Sequence, residues 1–262
     1  MGRKAKPMTR FERDFRRIES KTRLIFNATL ATKKVVVRGR ENFVADGPTI
    51  LVGNHCGNFK DVAALFQAVP RYVQFTANQM IFDQASLDFV VRRHLVRHLG
   101  GFGIILNALL YPIRATVGGF ISANVGRVGT IPVNMYGQSG KREAIEIFQD
   151  YLRQGCALVS LQGRGRVMPA DPNPYIRPFG RGIAIVACGL EAESGLSVPV
   201  TPVAIYGAQR PWIIPGLILI NAGPPLYARD YLDGGFDASV LRFKAALEAA
   251  VQGLFFDIIR SS

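Results

Sequence analysis

The stretch Ile50-Leu-Val-Gly-Asn-His55-Cys-Gly-Asn-Phe-Lys-Asp61-Val-Ala-Ala-Leu65 opens as a buried strand and closes as a helix, with a polar turn between them. Thr49–Val52 is a short apolar run rich in β-branched residues, which predicts a strand. Asp61 sits where a helix accepts an acidic residue, in its first turn. Polar residues at a strand end followed by a turn are where α/β proteins place ligand chemistry. An imidazole there can exchange a proton near neutral pH, since histidine ordinarily titrates at about 6.5. A carboxylate a few residues on can hold the ring and stabilise its protonated form, so the histidine can serve as general base toward a hydroxyl. The same residues also fit a histidine near a helix start, with Asp61 merely favouring the helix N-terminus. The pair alone leaves both readings open.

Outward from this stretch, short β-rich runs alternate with longer helical ones. Strands are predicted at Val35–Arg38, Thr49–Val52, Tyr72–Thr76, Thr130–Val133, Ala157–Leu161, Val200–Ile205 and Ile218–Asn221. Helices are predicted at Asp61–Gln67, Ser86–His98, Lys141–Gln154, Gly182–Leu190 and Ala238–Ile259. That order implies a single α/β domain, residues 35–262, with a mixed, largely parallel sheet flanked by helices. The 262 residues are enough to bury a full core, and 48% hydrophobic content rules out a disordered chain.

The net charge of +13 implies an anionic partner: phosphate-bearing lipids, a membrane surface, an acidic carrier or nucleic acid. Thirteen of the first forty residues are Lys or Arg and three are acidic, so most of the excess lies there. Phe11, Phe15, Ile18 and Ile25 recur at helical spacing among these cations. This predicts a basic amphipathic helix in residues 1–34, at a membrane interface or packed on the domain with a solvated charged face. The basic residues interleave with an apolar stripe and match no recognised nucleic-acid module, which argues against nucleic acid. No uncharged apolar run approaches the roughly 20 residues of a spanning helix. Leu99–Ile113 comes nearest, as a core segment or a patch dipping into a bilayer. Three widely spaced cysteines, Cys56, Cys156 and Cys188, with no preceding secretory signal, fit a reducing compartment.

The central stretch resembles the glycerolipid acyltransferase family typified by bacterial 1-acylglycerol-3-phosphate acyltransferase. The family block reads Asn-His, four residues, then Asp. Here five residues separate His55 from Asp61, as in branches of the family where Asn and Phe precede the Asp; Asn58 and Phe59 look like that branch. The extra residue must be absorbed before the helix, because one helical position rotates a side chain by about 100°. Val36-Val-Arg-Gly-Arg-Glu-Asn42 and Gly47-Pro-Thr-Ile-Leu-Val52 resemble the family's lead-in. Gly129-Thr-Ile-Pro-Val-Asn-Met135 resembles a block that ends in an acidic-Arg pair, with Asn134 and Met135 in its place. In Gly155-Cys-Ala-Leu-Val-Ser-Leu-Gln-Gly-Arg-Gly-Arg-Val167 the spacing is similar to the Phe-Pro-Glu-Gly-Thr-Arg loop, with Gln162 for Glu. Ile176-Arg-Pro-Phe-Gly-Arg-Gly182, Val198-Pro-Val-Thr-Pro-Val-Ala-Ile205 and Ala222-Gly-Pro-Pro-Leu226 follow in family order.

The resemblance implies an acyltransferase of phospholipid biosynthesis at the cytoplasmic face of a membrane, peripheral or monotopic. It would move a fatty acyl group from acyl-CoA or acyl carrier protein to the hydroxyl of lysophosphatidic acid or a related lysolipid. His55 and Asp61 would be catalytic. Gly163, Arg164, Arg166 and Arg181 would hold the acceptor phosphate, since glycine lets the backbone approach and guanidinium binds phosphate bidentately. Asn54, Asn58, Thr130 and Pro202 would line the site, and no metal or bound cofactor is implied. Gln162 and the Asn134-Met135 pair keep a non-catalytic lipid-binding relative in view, as well as an acyltransferase for a non-phosphate lipid alcohol. His94 and His98 stand four apart, but Arg92, Arg93 and Arg97 beside them disfavour a metal. Cys56 invites a thiol-nucleophile reading, although neighbours at a strand end usually point apart. Gly100-Gly-Phe-Gly103 lacks the strand–helix placement of a dinucleotide site.

Overall fold

The computed structural model describes residues 13, 15–56, 59–78, 84–124, 126–127, 130–133, 138–162 and 176–261. The strands are β1 (Lys33–Arg38), β2 (Thr49–Asn54), β3 (Gln74–Asn78), β4 (Ile131–Val133), β5 (Ala157–Gln162), β6 (Pro199–Tyr206), β7 (Gly216–Ala222) and β8 (Leu226–Tyr227). The helices are α1 (Glu19–Thr29), α2 (Phe59–Ala68), α3 (Gln84–Leu109), α4 (Tyr111–Asn124), α5 (Gln138–Arg153), α6 (Gly182–Ser194) and α7 (Phe236–Arg260).

The strands form one sheet in the order β1-β7-β6-β2-β5-β3-β4, with β8 beside β6. The five strands from β6 to β4 run parallel, and β7 and β8 are antiparallel to β6. The protein is therefore a single α/β domain with a mixed, mostly parallel sheet, as the alternating pattern predicts. β2 lies near the centre and is buried along its whole length, as expected for a strand covered on both faces. Its side chains alternate. Ile50 and Val52 enter a core built with α5, α6 and α7, while Leu51 enters a second core with α2. Helix α7 buries Val240, Phe243, Leu247, Val251, Phe255 and Ile258 at steps of three and four, a continuous apolar stripe. At Gly53 a Cβ atom would lie 2.4 Å from the Val203 carbonyl oxygen, so only glycine allows β2 and β6 to approach there.

All seven predicted strands and all five predicted helices are present; β8 and α4 are additions. The segment read as an isolated apolar run is helical on either side of a break at Gly100 (φ 54°): α3 resumes after that kink and runs to Leu109, and α4 begins at Tyr111. Gly100, Gly101, Gly103 and Pro112 masked this by lowering helix propensity. Pro112 is tolerated in the first turn of α4, where its missing N–H costs no helical bond. Part of the N-terminal apolar stripe packs on the domain. Phe15 and Ile18 are buried, and the Phe15 ring lies 5.0 Å from Tyr72 and 5.5 Å from Phe66. Those two side chains pack on the domain, while Arg16, Arg17, Lys21 and Arg23 face solvent. Phe11 and Arg10 lie outside the described residues.

Candidate active site

The carboxyl ends of the parallel strands define one edge of the sheet. Asn54 of β2 lies level with Gln162 of β5, and the His55 N–H extends the ladder by donating to the Gln162 carbonyl at 2.9 Å. The chain then leaves the sheet, and α2 begins at Phe59 with Asp61 in its first turn. His55 Nδ1 lies 2.8 Å from Asp61 Oδ2. The Cys56 backbone N–H donates to the same oxygen at 2.9 Å. The two side chains therefore meet despite the five-residue interval between them. Asp61 is fully buried, whereas the His55 side chain is 25% exposed.

This asymmetry decides what the pair can do. A buried carboxylate accepts hydrogen bonds, so it fixes the Nδ1–H tautomer and leaves the Nε2 lone pair free for a substrate proton. The positive end of the α2 dipole supports the negative charge of Asp61. Cys56 is buried, and its Sγ lies 3.7 Å from Asp61 Oδ1. Burial, and then the charge of Asp61, push its thiol well above its ordinary range. A thiol held protonated is a poor nucleophile.

The remaining predicted residues are distributed unequally. Asn54 is buried, and its side-chain amide clasps β6, donating to the Ile205 carbonyl at 2.8 Å and accepting the Ile205 N–H at 2.7 Å. It therefore joins β2 to β6 from behind the site. Pro202 is buried on β6, with its Cγ beside Gly223 and Leu254 on the α7 face of the sheet. Thr130 is half-buried at the entry to β4, three strand positions from β2, or about 14 Å at the usual spacing. Arg181 is exposed at the N-cap of α6. Asn58, Gly163, Arg164 and Arg166 lie outside the described residues, as do Asn134 and Met135 and the side chains of His94 and His98.

Two features were not legible as site elements. Gln162 supports the edge three times: its backbone oxygen receives His55, its Nε2 donates to Ser160 Oγ at 2.9 Å, and its Oε1 accepts the Gly180 N–H at 3.2 Å. It ties the turn that carries Arg181 to the strand end beside His55. The turn is also held from α7, where Glu248 accepts the Phe179 N–H. The second feature is the loop from Gly207 to Gly216. The Gln209 backbone bonds toward Cys56, and the Lys60 ammonium donates to the Arg210 carbonyl. Burial, and then the nearby charge of Lys33, hold Lys60 below its usual range. The cue in the sequence was the Pro-Trp-Ile-Ile-Pro run at 211–215, apolar between prolines where a polar turn is the norm.

The chain is similar in structure to the 1-acyl-sn-glycerophosphate acyltransferase of Thermotoga maritima. The identity is 16% and the TM-score 0.47, over 92% of this chain and 84% of that one. No family model matches the chain, and no curated protein matches it.

Proposed function

We propose that this protein is an acyltransferase that moves a fatty acyl group from a thioester, acyl-CoA or acyl carrier protein, to the hydroxyl of a lysolipid such as lysophosphatidic acid. The observation that carries the reading is the 2.8 Å contact between the half-open His55 ring and the fully buried Asp61 carboxylate. The block order along the sequence supplies the reaction class.

In this scheme His55 Nε2 removes the acceptor hydroxyl proton as the oxygen attacks the thioester carbonyl. Asp61 keeps the ring oriented and stabilises the imidazolium. Collapse of the tetrahedral intermediate breaks the C–S bond, and the thiolate leaves with the proton returned from His55. The acyl group passes directly to the acceptor, in keeping with a Cys56 thiol held protonated. Arg181, on the turn tied to Gln162, is assigned to the acceptor phosphate together with Arg164 and Arg166.

The test is purified protein with labelled acyl-CoA and a panel of lysolipids, compared with His55→Ala. We expect transfer to a phosphate-bearing lysolipid, and a loss of at least about 100-fold in the variant with an unchanged circular dichroism spectrum. Turnover retained by His55→Ala overturns the catalytic assignment. Turnover on no member of the panel favours a non-catalytic lipid binder.

A further inference from the structure

The loop after β6 presents an apolar surface that the catalytic scheme does not use. Trp212, Ile213 and Ile214 are 51%, 75% and 49% exposed, in three consecutive positions. Their backbone is held from within. Lys33 Nζ donates to the Pro211 carbonyl at 2.9 Å and also to that of Ile214. Thr32 Oγ1 donates to the Trp212 carbonyl, and Trp212 Nε1 donates to the Ala28 carbonyl at 3.2 Å. The polar backbone thus faces inward and the apolar side chains face outward. Burying three such side chains at the surface of a soluble protein would have been favourable, at about 1.5–3 kcal/mol for each fully buried aliphatic.

The position of this loop is informative. β6 runs parallel to β2, so the loop leaves the sheet at the same edge as His55. Helices α3 and α4 insert after β3, which reaches that edge too. Phe102, Ile104, Ile105, Leu109 and Ile113 of these helices are each about 60–70% exposed. Among the described residues no single helix is long and apolar enough to cross a membrane, and Gly100–Leu109 meets Tyr111–Asn124 at a bend of 62°. A bent apolar pair of this kind suits lying in an interface. Helix α1 joins the two apolar surfaces. Its Lys21 ammonium lies 5.9 Å from the centre of the Phe120 ring on α4, and its Ala28 carbonyl receives Trp212. These two positions are about 10 Å apart along a helix. Around them Lys21 and Arg23 of α1, and Arg16 and Arg17 just before it, are exposed.

We propose that the Trp212-Ile213-Ile214 loop and the α3–α4 pair are two feet by which the His55 edge docks on an anionic lipid bilayer, with the cations of α1 between them meeting the headgroups. The choice of occupant follows from charge complementarity. A surface that combines exposed apolar side chains with a cationic helix, in a chain of net charge +13, matches an anionic bilayer. A tryptophan whose indole N–H is satisfied and whose ring is half exposed suits the headgroup level. The inference concerns the location of the site that we read as an acyltransferase, yet vesicle binding is measured without turnover, so the two can fail separately.

Trp212 is the sole tryptophan of the chain, so its fluorescence reports on this loop alone. The full-length protein is titrated with phosphatidylcholine vesicles, with and without phosphatidylglycerol, and again with brominated lipids. We expect a blue shift and bromine quenching with the anionic vesicles. Ile213→Ser/Ile214→Ser should bind them about tenfold or more weakly while keeping its circular dichroism spectrum. Three results overturn the proposal. One is failure to sediment with anionic vesicles. Another is sedimentation with Trp212 neither shifted nor quenched. The last is a shift that follows protein concentration without lipid, which makes a second copy of the chain the occupant.

Discussion

At the residue scale, Asp61 has two tasks that substitution can separate. Its Oδ2 atom meets both His55 Nδ1 and the Cys56 backbone N–H. Asp61→Asn keeps the size and one acceptor but offers an amide N–H that can hold the ring in the wrong tautomer. We expect kcat to fall by about 10²–10⁴ with little change in unfolding midpoint. Asp61→Ala removes the acceptor altogether and strands a buried donor, at a cost of about 1–3 kcal/mol in urea denaturation. Equal kcat for Asp61→Asn and the parent protein would leave Asp61 with a purely structural role. The residue types of this pair and their approximate spacing were legible in the sequence. That the five-residue interval still lets them meet was not, because it depends on where α2 starts, and that is settled by the tertiary position of Phe59 beyond the strand end.

At the scale of elements, α1 and the residues leading into it show how an amphipathic pattern underdetermines its partner. A stripe of Phe15, Ile18 and Ile25 with cations around it satisfies either a bilayer or a protein core. The tertiary structure gives Phe15 and Ile18 to the protein: Phe15 meets Phe66 and Tyr72, and the Tyr72 hydroxyl bonds Glu19 at 3.0 Å. The cations remain outward. Phe15→Ala should loosen this packing and expose the sites after Arg16, Arg17, Lys21 and Arg23 to trypsin. Faster cleavage before Lys33, with the sheet domain left intact on a gel, is the expected result. An unchanged cleavage rate would mean that Phe15 contributes little to holding the segment. The strands were easier to anticipate, since alternation in β2 and β7 and the apolar stripe of α7 are set by local period. The α3–α4 region was harder, because glycines and a proline weaken the helical signal that its sequence carries.

At the scale of the whole molecule, charge and apolar surface act over different ranges. In the proposed docking, the net charge of +13 would draw an anionic surface from a distance of about 8 Å at physiological salt, while the apolar feet would act only on contact. Affinity for anionic vesicles should therefore fall steeply as salt rises from about 0.05 to 0.5 M, yet Trp212 should stay blue-shifted in whatever fraction remains bound. Sedimentation and emission spectra across that range check both halves. Affinity that ignores salt would remove the cations of α1 from the binding account. The sheet topology gives this scale its logic. Five parallel strands open their carboxyl ends at one edge, and the loops leaving that edge supply both the imidazole and the apolar contacts.

The sequence by itself determined what short-range periodicity can determine: the alternation of strands and helices, the single α/β domain they imply, the basic N-terminus, and a histidine and an aspartate flanking a turn. Each is a property of neighbours within a few residues. Only the tertiary structure decided that Asp61 is closed to solvent while His55 is not, that the Phe15 stripe faces inward, and that Trp212 shares an edge with His55. Those outcomes depend on contacts between distant segments, such as the clasp of Asn54 on Ile205 across 151 positions. No local pattern encodes a distance of that kind, because it arises when the sheet assembles and brings strand ends together.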